Sequence, residues 1–133
     1  MKLLSNGKLT KRYAEECAAM RDILSLVGDK WSVLLVVNLG EGPLRFSDLK
    51  RSVDGISQRM LTLTLRGLER DGLVKRTVYP TNPPRVDYEL TRLGQTLLAP
   101  VTQLAMWAGQ HRAEVLRARD AFERKTKANE ARL

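Results

Sequence analysis

The chain has 133 residues, 43% hydrophobic but only 5% aromatic, so it can enclose one domain-sized core and that core must be largely aliphatic. Twenty-three Lys and Arg against fifteen Asp and Glu leave a net charge of +8 and a pI near 10.1, which favours a polyanionic partner. A lone cysteine excludes an internal disulfide framework, one Cys and one His far apart argue against a metal site, and no apolar run nears the ~18 residues of a membrane span.

Residues 1–12 are polar and basic with little periodicity and read as a mobile arm. Met-Lys-Leu-Leu-Ser-Asn-Gly-Lys lacks the hydrophobic centre of a signal peptide, so a cytoplasmic protein without membrane contact is expected. From Ala14 to Val27, the residues Ala14, Cys17, Met20, Leu24 and Val27 recur at helical spacing and predict a first helix that ends at Gly28-Asp29. The next run, from Lys30 to Leu39, is apolar almost all round, as expected of a helix buried on most sides; Gly40-Glu41-Gly42-Pro43 stops it.

Arg45 to Val53 predicts a short third helix with Phe46, Leu49 and Val53 inward and Arg45 at its start, placed to meet a phosphate. Asp54-Gly55 signals a tight turn, and a fourth helix follows from Ile56 to Gly72, with Ser57 in the N-cap position. At 100° per residue, Leu61, Thr64, Leu65 and Leu68 gather on one side of it, and Gln58, Arg59, Thr62 and Arg66 on another. Amide, guanidinium and hydroxyl groups are the side chains that reach base edges and phosphates when a helix lies in a major groove. Taken alone, such a face is also what any amphipathic surface helix shows. Two helices joined by a short Gly-containing turn, the second with this polar face, form a helix-turn-helix pattern.

The period then changes from helical to alternating. Val74–Tyr79 and Arg85–Leu90 read as two strands around Pro80-Thr81-Asn82-Pro83-Pro84, whose prolines stiffen a projecting loop. A hairpin directly after a helix-turn-helix is a wing, here spanning about 74–91; wings commonly contact phosphates or the minor groove, and Arg76 and Arg85 flank this one. Helical spacing returns after Thr91 through Leu93, Leu97, Val101, Leu104, Trp107 or Ala108, and Val115. Pro100 predicts a kink or two abutting helices at that point. Beyond Gly109 the residues are charged and polar, and a single chain of this size offers such a tail little core to pack on.

These readings give an α+β, mostly helical fold: a winged helix-turn-helix domain over 13–92, preceded by the arm and followed by C-terminal dimerisation helices and a polar tail over 93–133. Met20 and Leu24 of the first helix, with Val101, Leu104, Trp107 and Ala108, are expected to form a homodimer interface. The expected DNA-contacting set is Arg45, Ser57, Gln58, Arg59, Thr62, Arg66, Arg76 and Arg85. No cofactor is implied, and no nucleophile–base arrangement or phosphate-cradling glycine loop marks an enzyme. Glu15, Glu16, Glu69 and Asp71 read as surface or helix-end charges, and His111 as a solvated surface residue. The competing function is a winged-helix protein-interaction module without direct DNA readout, against which the basic, polar face of the fourth helix argues. A cysteine-dependent enzyme ranks third, since Cys17 has no evident His or Asn partner.

An ordered set of short stretches resembles the HxlR-type winged-helix transcriptional regulators of bacteria, relatives of the multiple-antibiotic-resistance repressor group. It begins with Gly28-Asp29-Lys30-Trp31 and Leu44-Arg45-Phe46-Ser47-Asp48-Leu49. Gly55-Ile56-Ser57-Gln58-Arg59-Met60-Leu61-Thr62 and Leu65-Arg66-Gly67-Leu68-Glu69-Arg70-Asp71-Gly72-Leu73-Val74 follow, then Arg76, Pro83-Pro84-Arg85-Val86-Asp87-Tyr88-Glu89-Leu90-Thr91, Gly94 and Trp107. The resemblance covers about residues 17–110. It implies a homodimer formed by the terminal helices that sets two copies of the 56–72 helix into successive major grooves of a near-palindromic double-stranded operator, about one helical turn, ~34–36 Å, apart.

The resemblance also places Cys17 close to where many members carry a cysteine that senses oxidants, quinones or aldehydes. Many of those members follow that cysteine with proline, whereas Ala18 follows here. Two readings of Cys17 stay open. It is a redox sensor for a small electrophile or oxidant, its thiolate favoured by the helix start and by Lys11 or Arg12, or it is a small packing residue in the stripe with Met20 and Leu24.

Overall fold

Asp29 sets the start of the central helix: its carboxylate accepts a hydrogen bond from the Trp31 amide at 3.0 Å, capping α2 (Lys30–Leu39). The structure, a computed structural model, describes residues 4–5, 8–9 and 16–132. Within the expected arm, Leu4–Ser5 (β1) and Lys8–Leu9 (β2) pair antiparallel, with Leu4 opposite Leu9. The rest of that arm, with Lys11, Arg12, Ala14 and Glu15, lies outside the described residues. Helix α1 (Cys17–Val27) precedes α2 and turns into it through Gly28, whose amide bonds back to the Leu24 carbonyl at 2.8 Å.

Helix α2 carries the core, with Val33, Leu35, Val36 and Leu39 buried, which agrees with its apolar run. Around it stand α3 (Phe46–Ser52), α4 (Gln58–Arg70), a three-stranded sheet and α5 (Arg92–Gln110). Leu49, Val53, Ile56, Leu61, Leu65 and Leu68 close the helical side of this cluster; Val74, Tyr88 and Leu90 close the sheet side. The sheet runs β3 (Leu44–Arg45), β5 (Arg85–Leu90), β4 (Val74–Tyr79), all antiparallel, with Arg45 opposite Asp87 and Tyr79 opposite Arg85. This is a winged helix-turn-helix fold, mostly helical with a small antiparallel sheet.

The fold departs from the sequence reading in three places. Leu44–Arg45 is a strand rather than the start of a helix, and Arg45 itself stands at the N-cap of α3 with extended φ −74° and ψ 158°. Of the kink and the two abutting helices expected at Pro100, the second does not occur: α5 runs through Pro100 to Gln110. Proline removes one amide, and Pro100 and Thr96 are both exposed, so the carbonyl it leaves unpaired has access to water. The break falls instead at His111, after which α6 (Arg112–Ala131) runs for twenty residues without one buried side chain. Finally Val101, expected between subunits, is only 5% exposed and belongs to the chain's own core, because this part of α5 packs against α2.

Candidate nucleic-acid interface

The candidate interface is built on α4. Ser57 precedes it in extended conformation, and its hydroxyl accepts from the Met60 amide at 3.0 Å, which fixes where the helix begins. Leu61, Thr64, Leu65 and Leu68 point into the core as their spacing predicts, and the Thr64 hydroxyl is satisfied by the Met60 carbonyl at 2.7 Å. With that face held, Ser57, Gln58, Arg59 and Arg66 are exposed and Thr62 is half-buried. Neither Arg59 nor Arg66 has an ion-pair partner among the described residues. The turn before α4 uses Gly55 at φ +84°, and Ile56, 1% exposed, anchors it to the core.

The basic residues near the other end of α4 differ in this respect. Arg70 Nε bonds Asp71 at 2.9 Å, so the last turn of the helix is locally neutralised. Gly72, at φ +76°, then sends the chain into the wing.

On the wing, Arg76 of β4 is exposed and has no ion-pair partner among the described residues. Arg85 is held. Its Nε and a terminal nitrogen fork onto the two carboxylate oxygens of Asp87 at 3.0 and 2.9 Å, and its guanidinium lies 4.7 Å from the centre of the Tyr79 ring. The hydrogen bonds from Arg85 hold the Asp87 carboxyl below the ordinary carboxylate range against the opposing effect of burial, and the charges of Arg85 and Arg45 add to this. The fork therefore persists through neutral pH and is lost only as the pH falls through that lowered value. Arg45, exposed on β3 opposite Asp87, shares with Arg85 the lining of a cleft of about 540 Å3 between the loop 81–84 and the start of α3.

All eight expected contact residues thus lie on α4, its N-cap, β3 or the wing. The Arg85–Asp87–Tyr79 grouping was not foreseen. Its signal was present: residues i and i+2 of a strand share a face, so an Arg and an Asp at 85 and 87 are neighbours.

The residues expected between subunits are divided. Leu24 is 60% exposed, Leu104 52% and Trp107 54%; Ala108 is also exposed, Met20 and Cys17 are half-buried, and Val101 is in the core. No buried layer of Cys17, Met20 and Leu24 forms within one chain, and α1 has no buried residue. His111 lies at the surface, partly exposed, with its ring stacked on Trp107 at 4.9 Å between centroids and Nδ1 2.9 Å from the Trp107 carbonyl oxygen. Among the described residues no group of three His, Cys, Asp or Glu is placed to hold a metal, and no helix is long and apolar enough to cross a membrane.

A helix-turn-helix with an exposed basic face, followed by a wing bearing further arginines, defines the class of winged helix-turn-helix DNA-binding proteins. Comparison with known proteins narrows this: residues 26–115 match the model of the HxlR-like helix-turn-helix family, and the chain belongs to that family. The HTH-type transcriptional regulator YtfH of Escherichia coli is 44% identical over 117 residues, covering 88% of this chain and 90% of that one. Among solved structures, the transcriptional regulator ytfH from Salmonella typhimurium is similar with a TM-score of 0.72 and 42% identity, over 76% of this chain and 90% of that one. The redox regulator HypR in its oxidized form is similar with a TM-score of 0.64 and 41% identity, over 69% and 95%. The protein is a transcriptional regulator, not an enzyme, and its fold implies DNA binding.

Proposed function

We propose that the protein acts as a cytoplasmic homodimer that binds a near-palindromic operator, each subunit setting α4 into a major groove with its wing beside it. Gln58 and Arg59, exposed in the first turn of α4, read base edges; Ser57, Thr62 and Arg66 flank them, and Arg45, Arg76 and Arg85 meet the backbone. The observation that carries this reading is the outward face of α4, where two arginines have no ion-pair partner among the described residues while the opposite face is locked into the core. The dimer is supported by Leu104, Met106 and Trp107 of α5 and Leu116 and Phe122 of α6, all large apolar side chains exposed on the single chain.

A footprint on intergenic DNA from the source genome, with a salt series on the protected duplex, tests the reading. Protection of two half-sites about ten base pairs apart, weakening steeply with salt, is the expected result. Binding to no DNA, or binding insensitive to salt, would instead favour a protein-interaction module. HypR is a redox regulator, and the one cysteine of this chain, half-buried Cys17 in the first turn of α1, is the residue on which an oxidant response would rest.

A further inference from the structure

An arginine that already neutralises a carboxylate contributes no net charge to a polyanion's site. Arg85 and Asp87 sum to zero, and Asp87 taken alone repels phosphate. On electrostatics alone, Asp87 is a liability on the wing of a chain of net charge +8, and neutralising it should tighten DNA binding.

The geometry points the other way. The fork to Asp87 occupies two of the five N–H donors of Arg85, leaving three for another acceptor. Tyr79, cross-strand from Arg85, covers one face of the same guanidinium. The carboxylate lies behind this arrangement, its side chain 14% exposed against 41% for Arg85. Arg45 is the cross-strand neighbour of Asp87, near enough for the two charges to act on each other. Both arginines line the cleft between the loop 81–84 and the start of α3, together with Ser47 and Thr81.

We propose that Asp87 is a positioning residue for DNA binding, whose carboxylate fixes Arg85 and draws Arg45 from β3 so that both guanidiniums face this cleft and seat one backbone phosphate there. The proposal rests on the reading that the wing meets DNA. An unrestrained arginine loses rotamer freedom when it binds; one already fixed loses less, so the carboxylate's repulsion is outweighed by the order it imposes.

The test uses the full chain and fluorescence anisotropy on two labelled duplexes, the footprinted operator and a scrambled sequence, each over a salt series. Asp87→Asn is compared with Glu89→Gln, which makes the same charge change two residues further along β5. Expected is binding about 3- to 10-fold weaker for Asp87→Asn on both duplexes, with a shallower salt slope, while Glu89→Gln binds as the native chain or tighter. In an Arg45→Ala, Arg85→Ala background, Asp87→Asn should cost nothing further. Asp87→Asn binding as tightly as Glu89→Gln would overturn the proposal. So would a loss with unchanged salt slope that persists in the double-arginine background, since that is the mark of a fold effect. If the double-arginine variant itself binds like the native chain, the wing reading fails and the proposal falls with it.

Discussion

A Cβ placed on Gly94 would stand 2.1 Å from the carbonyl oxygen of Leu73. The contact lies where the end of the helix-turn-helix is stapled to the start of α5. The Thr91 hydroxyl donates to the Gly72 carbonyl at 2.6 Å and accepts from the Gly94 amide at 3.0 Å, while the Thr91 amide donates to the Leu73 carbonyl at 3.0 Å. Any side chain at 94 must push α5 away from the root of the wing.

Gly94→Ala therefore sets two effects against each other. Helix propensity favours alanine by roughly 1 kcal/mol, but overlap with backbone cannot be relieved by a rotamer change and should cost about 2–4 kcal/mol net. Gly67→Ala in α4 is the contrast. There the close atom, at 2.9 Å, is the end of the Leu26 side chain, which can turn aside, so the change should stay within about 1 kcal/mol of neutral. Urea unfolding of both variants checks this; a Gly94→Ala midpoint at or above the native value would refute the close approach.

On α4, Arg59→Ala should reduce discrimination among operator variants by ~1–3 kcal/mol if the guanidinium is bidentate to guanine, whereas Arg76→Ala should weaken all sequences similarly and lower the salt slope by about one. Competition binding with single-base operator substitutions separates the two. An Arg59→Ala chain with native sequence preference removes Arg59 from base readout.

Val101 is a core residue of the single chain, so the subunit interface is tested at exposed positions of α5. Leu104→Ser with Trp107→Ser changes only exposed positions of α5. Sedimentation should show a monomer with native circular dichroism and with operator affinity reduced by well over about tenfold, since one half-site is lost per binding event. A stable dimer from that variant would move the interface elsewhere.

For Cys17, operator binding titrated with hydrogen peroxide and with a quinone should give coincident curves for the native chain and Cys17→Ser. Ala18 takes the place of the proline that often follows the sensing cysteine in similar regulators, and the thiol is half-buried. A loss of binding confined to the native chain would establish the switch. As the sole cysteine, Cys17 would then act through a sulfenic acid or an intersubunit disulfide.

The elements legible in the sequence were those whose pattern repeats. Helix α4 was marked by both ends and by its stripe: Ser57 caps it, Gly72 releases it, and all four residues of Leu61, Thr64, Leu65 and Leu68 are buried. The wing strands were legible from their prolines and alternation. What escaped had no period to show. Two residues at Leu44–Arg45 are too few to alternate, and only their pairing with Tyr88 and Asp87 of β5, far along the chain, makes them a strand. The α5 stripe was visible, but helical spacing does not say which apolar residue meets its own chain and which meets another, so Val101 and Leu104 looked alike. For the candidate site, residue types and faces could be read, whereas the Arg85–Asp87 fork depends on rotamers that spacing permits without dictating.

Helix α6 bears on abundance as well as on geometry. Twenty residues at 1.5 Å each carry it about 30 Å from His111, and none of them is buried within one chain. If a second copy supplies the missing cover, order in α6 is linked by mass action to the amount of protein present. The melting temperature should then rise with concentration, and dilution should release α6 before it opens the winged domain. A cell holding few copies would carry a regulator whose competence for its operator depends on its own supply, so that small changes in expression are felt more than proportionally at the promoter.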